Sequence, residues 1–580
     1  MVNCTIDHIP VTVPANTTIM QAAESVGIAI PHLCFLKDLN EIAACRVCAV
    51  EIVGTERLLT ACNNVVAEGM TILTGSPKVT VDRRRTVQMI LSQHNFRCAT
   101  CVRSRNCSLQ DLAGDLNIQD VPFKSCIERR PWNRNFPLIR DAAKCIKCMR
   151  CIQVCDKMQS LGVWDFEGTG SRSTVNVSHA RNIEDAGCSL CGQCVTHCPV
   201  GALSERDDTG RFLRAVMDPD TTVAVQVAPA VRTAWAESLG LPLDAAPVGK
   251  IFDALKKMGA DYVFDTAFSA DLTIMEEANE LVARFAAGDL AERPMFTSCC
   301  PGWVRFLKSE YPHLKSRLST AKSPMQMFGS VMKTAFAEDQ NLDPNRLFSV
   351  AVMPCLAKKS EAEMPLYAGE YAGHETDCVL TTREFARLIR ACHINVATLE
   401  AVPADTLYQS VSGAGIIFGA TGGVMEAALR TAYHILTGRN CPGDHFADVR
   451  ATGRDTGVTE ATFAIGDTSL RVAAVSGLAN TRRLIEALEV GRARYDFVEV
   501  MACPGGCVGG GGQPIHDGEE RAFARGKNLY FLDRGAPIRH CHENPDIRAL
   551  YRDHYGEPGS PAARHLLHTA HRRWAMPRGL

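Results

Sequence analysis

The stretch TSCCPGW sets two thiols side by side, Cys299 and Cys300. Adjacent residues keep their Cα atoms at ~3.8 Å, too close for a relaxed disulfide. Two separate tasks are therefore expected of them. Two further cysteine loops follow strand-like segments: MPCLAKKSE carries Cys355, and MACPGGCVGGGGQP carries Cys503 and Cys507. If the three loops converge, Cys300, Cys355, Cys503 and Cys507 supply four thiolates to one 4Fe-4S cubane. In ADLTIMEEANELVARF, Glu277, Glu280 and Arg284 fall at i, i+3 and i+7, on one face of a helix. Such a stripe is either a solvated helix face or a run of titratable groups able to pass protons.

More ligand patterns fill the first 200 residues. Cys34, Cys45, Cys48 and Cys62 read C-x10-C-x2-C-x13-C. On a small β-rich module this set suits a 2Fe-2S cluster and resembles plant-type ferredoxins, with different gaps; zinc is the competing ligand, although zinc ribbons use two C-x2-C pairs. His94, Cys98, Cys101 and Cys107 read H-x3-C-x2-C-x5-C, a donor set for zinc or for a 4Fe-4S cluster. KCIKCMRCIQVC (Cys145, Cys148, Cys151, Cys155) and GCSLCGQCVTHCPVGAL (Cys188, Cys191, Cys194, Cys198) both read C-x2-C-x2-C-x3-C. In this bacterial ferredoxin arrangement the fourth cysteine serves the other run's cluster, which pairs Cys198 with the first run and Cys155 with the second. Clusters in series mean electron transfer, and redox-inert zinc has no place among them.

The elements that must hold these ligands change along the chain. Two short strands and a helix precede Cys34, and VDRRRTVQMILSQ is helical ahead of His94. From about residue 220, strands TTVAVQVAP, DYVFDTAF, LFSVAVMP, GAGIIFGATGG and DFVEVMACP alternate with helices, the pattern of an α/β domain with parallel sheets whose site lies at the strands' carboxyl ends. Expected domains are 1–78 (β-grasp 2Fe-2S), 79–118 (one histidine, three cysteines), 137–210 (2x 4Fe-4S ferredoxin, α+β), 220–516 (α/β, catalytic) and 517–580 (C-terminal segment). The 580 residues carry 62 Lys+Arg against 64 Asp+Glu, a balance that points to neither nucleic acid nor an anionic membrane. No apolar run approaches the roughly 18 residues of a membrane span, and the opening residues lack the pattern of a signal peptide. A cytoplasmic protein is expected, whose 26 cysteines serve metals rather than disulfides.

Taken together, the accessory modules in order, the three loop motifs and the tail RALYRDHYGEPGSPAARHLLHTAH closely resemble the iron-only (FeFe) hydrogenases over nearly the whole chain. The resemblance implies H2 = 2H+ + 2e− at an H-cluster: a 4Fe-4S cubane on Cys300, Cys355, Cys503 and Cys507, bridged by Cys507 to a two-iron unit carrying CO, CN− and an azadithiolate. It implies three accessory 4Fe-4S clusters and one 2Fe-2S cluster. Met353 and Met501 are expected to flank the two-iron unit, Lys358 to hydrogen-bond a cyanide, and Cys299, Glu277, Ser319 (in LSTAKSP), Glu280 and Arg284 to relay protons. Two positions depart from the family pattern: Ala230 where serine is common and Met325 where glutamine is usual. Expected partners are ferredoxin or NAD(P)H-oxidising flavin subunits, and maturation enzymes. An H2 sensor, an iron-sulfur assembly protein and the cluster-bearing subunit of a quinone-reducing complex are rival readings; assembly proteins lack the two N-terminal modules. Cys4, Cys126, Cys378, Cys392, Cys441 and Cys541 receive no role.

Overall fold

The computed structural model describes residues 1–290, 292–364, 374–450, 457–466 and 468–571, so the last nine residues of the C-terminal segment lie outside the described residues. Two compact units are present. One contains Met1–Lys157, Gly162–Ile183 and His197–Ser204; the other contains Met158–Leu161, Glu184–Thr196 and Glu205–Leu580.

The first unit opens with a five-stranded sheet. Val2–Ile6 pairs antiparallel with Ile9–Val13 and parallel with Thr71–Leu73, and Ala49–Ile52 and Leu58–Thr60 complete it. Helix Ile19–Glu24 packs on it, started by a capping box in which Thr18 accepts from the Gln21 amide and Gln21 returns the bond. Cys34, Cys45, Cys48 and Cys62 lie buried around this core. Helix Pro77–Ser92, capped by Ser76, leads to His94.

In the second unit, two sheets carry the fold. One is fully parallel, in the order Tyr262–Asp265, Thr222–Val227, Leu347–Met353, Cys378–Thr381. The other runs Met295–Phe296, Phe497–Met501, Thr468–Ser476, Val458–Ile465 and is mixed: its last pair is antiparallel. That hairpin was not anticipated from the sequence. One expected strand is corrected. Gly413–Ile417, within GAGIIFGATGG, is a helix, because Ser412 caps it by accepting from the Gly415 amide and because glycine lets it approach its neighbours. A Cβ on Gly415 would sit 2.3 Å from the Ala267 carbonyl oxygen. Among the described residues no helix is long and apolar enough to cross a membrane.

The longest of these helices, Thr266–Ala286, begins where strand Tyr262–Asp265 ends. Asp265 caps it by accepting from the Ala267 amide at 2.9 Å, and both Asp265 oxygens accept from Arg232 Nη2 at 2.7 Å. A buried, bidentate pair thus fixes where the helix starts, and thereby the heights at which Glu277 and Glu280 project.

Candidate active site

Strands of both sheets end at one cavity. Ala228, Pro229 and Ala230 reach it from Thr222–Val227, Pro354 and Cys355 from Leu347–Met353, and Cys503 and Cys507 from Phe497–Met501. Cys299 and Cys300 follow Met295–Phe296, with Cys300 at the start of helix Pro301–Glu310. The cavity measures about 70 Å3 and is walled by alanine, proline, glycine, phenylalanine and the methionines Met325, Met353 and Met501; among the described residues lining it Lys358 alone is charged. Gly506, at φ +93°, gives Cys507 its approach: a Cβ there would lie 2.7 Å from the Thr421 amide nitrogen.

Cys300, Cys355, Cys503 and Cys507 all face this cavity. Burial pushes every one of them above the ordinary thiol range, Cys355 to about 12, and the neighbouring thiols add to the shift of Cys355, Cys503 and Cys507. Four thiolates cannot share an apolar pocket unless cations compensate them, so the donor set fits an iron-sulfur cubane. Lys358 adds a cationic donor. Its Nζ lies 2.6 Å from Glu361 Oε2 and donates to the Cys299 carbonyl at 3.2 Å. Burial opposes its charge, but Glu361 and the thiols outweigh burial and hold the ammonium above its usual range. Ser323 Oγ donates to the same Glu361 oxygen at 3.0 Å. Glu361, three residues beyond Lys358, was missed although its spacing was visible in KKSE.

Cys299 is buried and carries the one thiol of this group outside the cubane set. Burial, and after it the charges of Glu277, Cys300 and Cys507, lift it well above its ordinary value. Glu277 is 1% exposed, and its Oε2 has no hydrogen-bond partner among the described residues. Burial raises Glu277 to about 8, with Glu280 and Glu499 adding to the shift and the Ser319 hydroxyl opposing it. Ser319 Oγ then donates to Glu280 Oε2 at 3.2 Å, and Arg284 Nη2 donates to Glu280 Oε1 at 2.6 Å. Ser319, Glu280 and Arg284 are thus joined by hydrogen bonds that end on a partly exposed guanidinium, 17% exposed.

The accessory ligands fall as follows. Cys145, Cys148, Cys151 and Cys198 line one small cavity in the first unit. Buried His94 donates Nδ1–H to the Lys144 carbonyl at 2.9 Å, which leaves Nε2 free to ligate. Cys98, Cys101 and Cys107 are half-buried, and a Cβ on Gly201 would lie 2.5 Å from Cys101 Sγ. Cys155 lies in the first unit, whereas Cys188, Cys191 and Cys194 lie in the second. There the Cys191 carbonyl is 3.6 Å from Cys503 Sγ, Gln193 Nε2 donates to the Gly509 carbonyl at 2.9 Å, and Arg305 Nε donates to the Cys188 carbonyl at 3.0 Å. The loop bearing Cys191 therefore packs directly on the loop bearing Cys503 and Cys507.

Residues 221–511 match the family model described as "Iron only hydrogenase large subunit, C-terminal domain", and residues 519–574 match "Iron hydrogenase small subunit". Ahead of them, residues 1–77 match a 2Fe-2S iron-sulfur cluster binding domain, 83–122 the iron-sulfur binding region of NADH-ubiquinone oxidoreductase-G, and 144–202 a 4Fe-4S dicluster domain. The chain is 41% identical to the NADP-reducing hydrogenase subunit HndD of Solidesulfovibrio fructosivorans, covering 98% of each chain. It is 37% identical to iron hydrogenase 1 of Clostridium pasteurianum, over 96% of this chain and 97% of that one. The structure of a variant of FeFe-hydrogenase HydA1 from Chlamydomonas reinhardtii is matched over 64% of this chain and all of that chain, with a TM-score of 0.56 and 37% identity. With the large-subunit model spanning half of the sequence and two relatives aligned over nearly all of it, the chain belongs to the iron-only, or FeFe, hydrogenase family.

Proposed function

We propose that the chain interconverts H2 with two protons and two electrons at an H-cluster held by Cys300, Cys355, Cys503 and Cys507. The observation that carries this reading is the meeting, in one apolar cavity, of four thiols from three loops with Lys358, beside a fifth thiol, Cys299, that feels the charge of Glu277. When bound, the H-cluster supplies the two-iron centre at which hydrogen is split or formed. Every other requirement falls to the protein. Lys358, pinned by Glu361, offers a compact charge-assisted donor to an anionic ligand, and Met353 and Met501 wall the site without competing as strong donors. Ala230 and Met325 line the same cavity, so both departures from the family pattern act as altered tuning of the centre. Cys299 and Glu277 both hold their protons near neutral pH, and protons pass from Cys299 to Glu277, Ser319 and Glu280, with Arg284 at the rim.

The remaining ligands would hold one 2Fe-2S and three 4Fe-4S clusters, which would supply a path for electrons, and the packing of the Cys191 loop on the Cys503 loop supports an inner end of that path beside the four-thiol cavity. The outer partner is ferredoxin or a flavin-bearing subunit that oxidises NAD(P)H; a relative's name, that of an NADP-reducing hydrogenase subunit, favours the latter. No G-x-G-x-x-G fingerprint follows a strand in this sequence, so this polypeptide is not the nicotinamide site. The setting is the cytoplasm, where the thiols stay reduced, and maturation enzymes insert the two-iron unit. Purified, matured chain is expected to evolve H2 from reduced viologen and not from NADH alone. NADH-driven H2 from the isolated polypeptide would overturn the partner assignment, and absence of viologen-driven H2 would overturn the activity.

A further inference from the structure

A relay ending on Arg284 has no terminus that can release a proton, because a guanidinium does not deprotonate in proteins. Its place beside Glu280 suits holding that carboxylate instead: Nη2 also donates to the Leu318 carbonyl at 3.2 Å and Nη1 to the Ser316 carbonyl at 3.3 Å. The other oxygen of Glu280 leads elsewhere. Oε2 accepts from the Thr320 amide at 2.8 Å and lies 3.0 Å from Thr320 Oγ1, which lies 2.8 Å from His568 Nδ1, so the single hydroxyl proton serves one of these two contacts at a time. On the far side of the ring, His568 Nε2 lies 2.8 Å from Glu276 Oε2.

His568 comes from the C-terminal segment and is held in register. Its backbone bridges Ala321, the Thr569 amide donates to the Thr320 carbonyl at 2.7 Å, and the Lys322 amide donates to the Leu567 carbonyl at 2.9 Å. Glu276 is 1% exposed and accepts from the Tyr551 hydroxyl and, at 2.9 Å, from the Gly559 amide. With those donors on it, Glu276 is an acceptor for His568, which sets the Nε2–H tautomer and leaves Nδ1 open toward Thr320. The His568 side chain is 12% exposed, so the ring reaches the solvent edge. Another imidazole of the segment, His571, is tied to the Ser319 carbonyl at 2.9 Å and kept neutral by burial, at about 4, so it does not compete for the proton.

We propose that His568, reached through the Thr320 hydroxyl and counterbalanced by Glu276, is the terminal proton-exchanging group of the relay. This rests on the relay reading given above. The transfer balances without electrons. Protonated Glu280 gives its proton to Thr320 Oγ1 while Thr320 gives its own hydroxyl proton to His568 Nδ1, and the resulting imidazolium, whose Nε2–H is held by Glu276 Oε2, loses a proton to water. In reverse, the same groups load a proton inward. Thr320 therefore serves as a switchable bridge, and the C-terminal segment completes the path rather than merely covering it.

Four variants of the matured enzyme test this: Thr320→Val, Thr320→Ser, His568→Gln and Glu280→Gln. Turnover is expected to fall by about 10²-fold or more in Thr320→Val and His568→Gln, within the range general acid-base groups contribute, and to recover in Thr320→Ser. A second readout is independent of turnover. In histidine-labelled protein the 15N shifts of the His568 ring are expected to change on Glu280→Gln, and that response is expected to vanish when Thr320→Val is added. A purely electrostatic or structural link would survive the valine. If Thr320→Val and His568→Gln both turn over within about twofold of wild type while Glu280→Gln is severely impaired, His568 is not the terminus. If Glu280→Gln itself keeps wild-type turnover, the relay reading falls first.

Discussion

Glu277→Gln removes one oxygen's capacity to carry a proton and changes little in volume. In the native fold burial lifts Glu277 from 4.5 to about 8. That gap disfavours the charged form by roughly 5 kcal/mol (about 3.5 × 1.36 kcal/mol), and at pH 7 it leaves the acid in excess by about ten to one. A raised carboxyl stabilises the fold most fully below its unfolded value of 4.5, and the contribution is lost as pH climbs through about 8. The glutamine variant lacks this dependence, so wild type is expected to lose stability relative to it across that window. Infrared difference spectra of matured protein should contain a protonated-carboxyl band that titrates near 8 and is absent from the variant, while turnover falls by about 10²- to 10⁴-fold. A band that titrates in the ordinary carboxylate range, or a variant turning over within about threefold of wild type, would refute the placement of Glu277 as a neutral, proton-carrying link.

Cys299→Ala is expected to keep its iron content while turnover drops by about 10²-fold or more, whereas Cys300→Ser is expected to lose cubane iron; metal analysis beside the activity assay separates the two. Asp265→Ala strands buried Arg232 and uncaps the helix that carries Glu277 and Glu280. A cost of about 3–5 kcal/mol is expected, read as lost amide hydrogen-exchange protection across Thr266–Ala286, and unchanged protection would count against the pair as the helix's anchor.

Much of this molecule was legible because cluster ligands cluster in sequence. The runs at Cys145 and Cys188 declare themselves by spacing alone, and the stripe Glu277, Glu280, Arg284 follows from helical periodicity. Legibility failed where tertiary contact decides. GAGIIFGATGG is an apolar, glycine-bounded run that reads equally as strand or buried helix; the cap from Ser412 and the close approach to Ala267 settle it as helix at Gly413–Ile417. The antiparallel hairpin of Val458–Ile465 and Thr468–Ser476 was missed for the same reason, since alternating βα units predict parallel neighbours only. Thr320 and His568 meet across 248 residues, and no local pattern joins them. Glu361 differs: it stands three residues from Lys358, yet only the cavity reveals that it points inward to hold that ammonium.

The central claim is that the four-thiol cavity holds an H-cluster, and infrared spectroscopy of the matured protein tests it most directly. Bands of metal-bound CO and CN− are predicted, arising from a centre that protein carrying only its cubanes does not contain. A matured protein with its iron-sulfur clusters in place and no such bands would contradict the account.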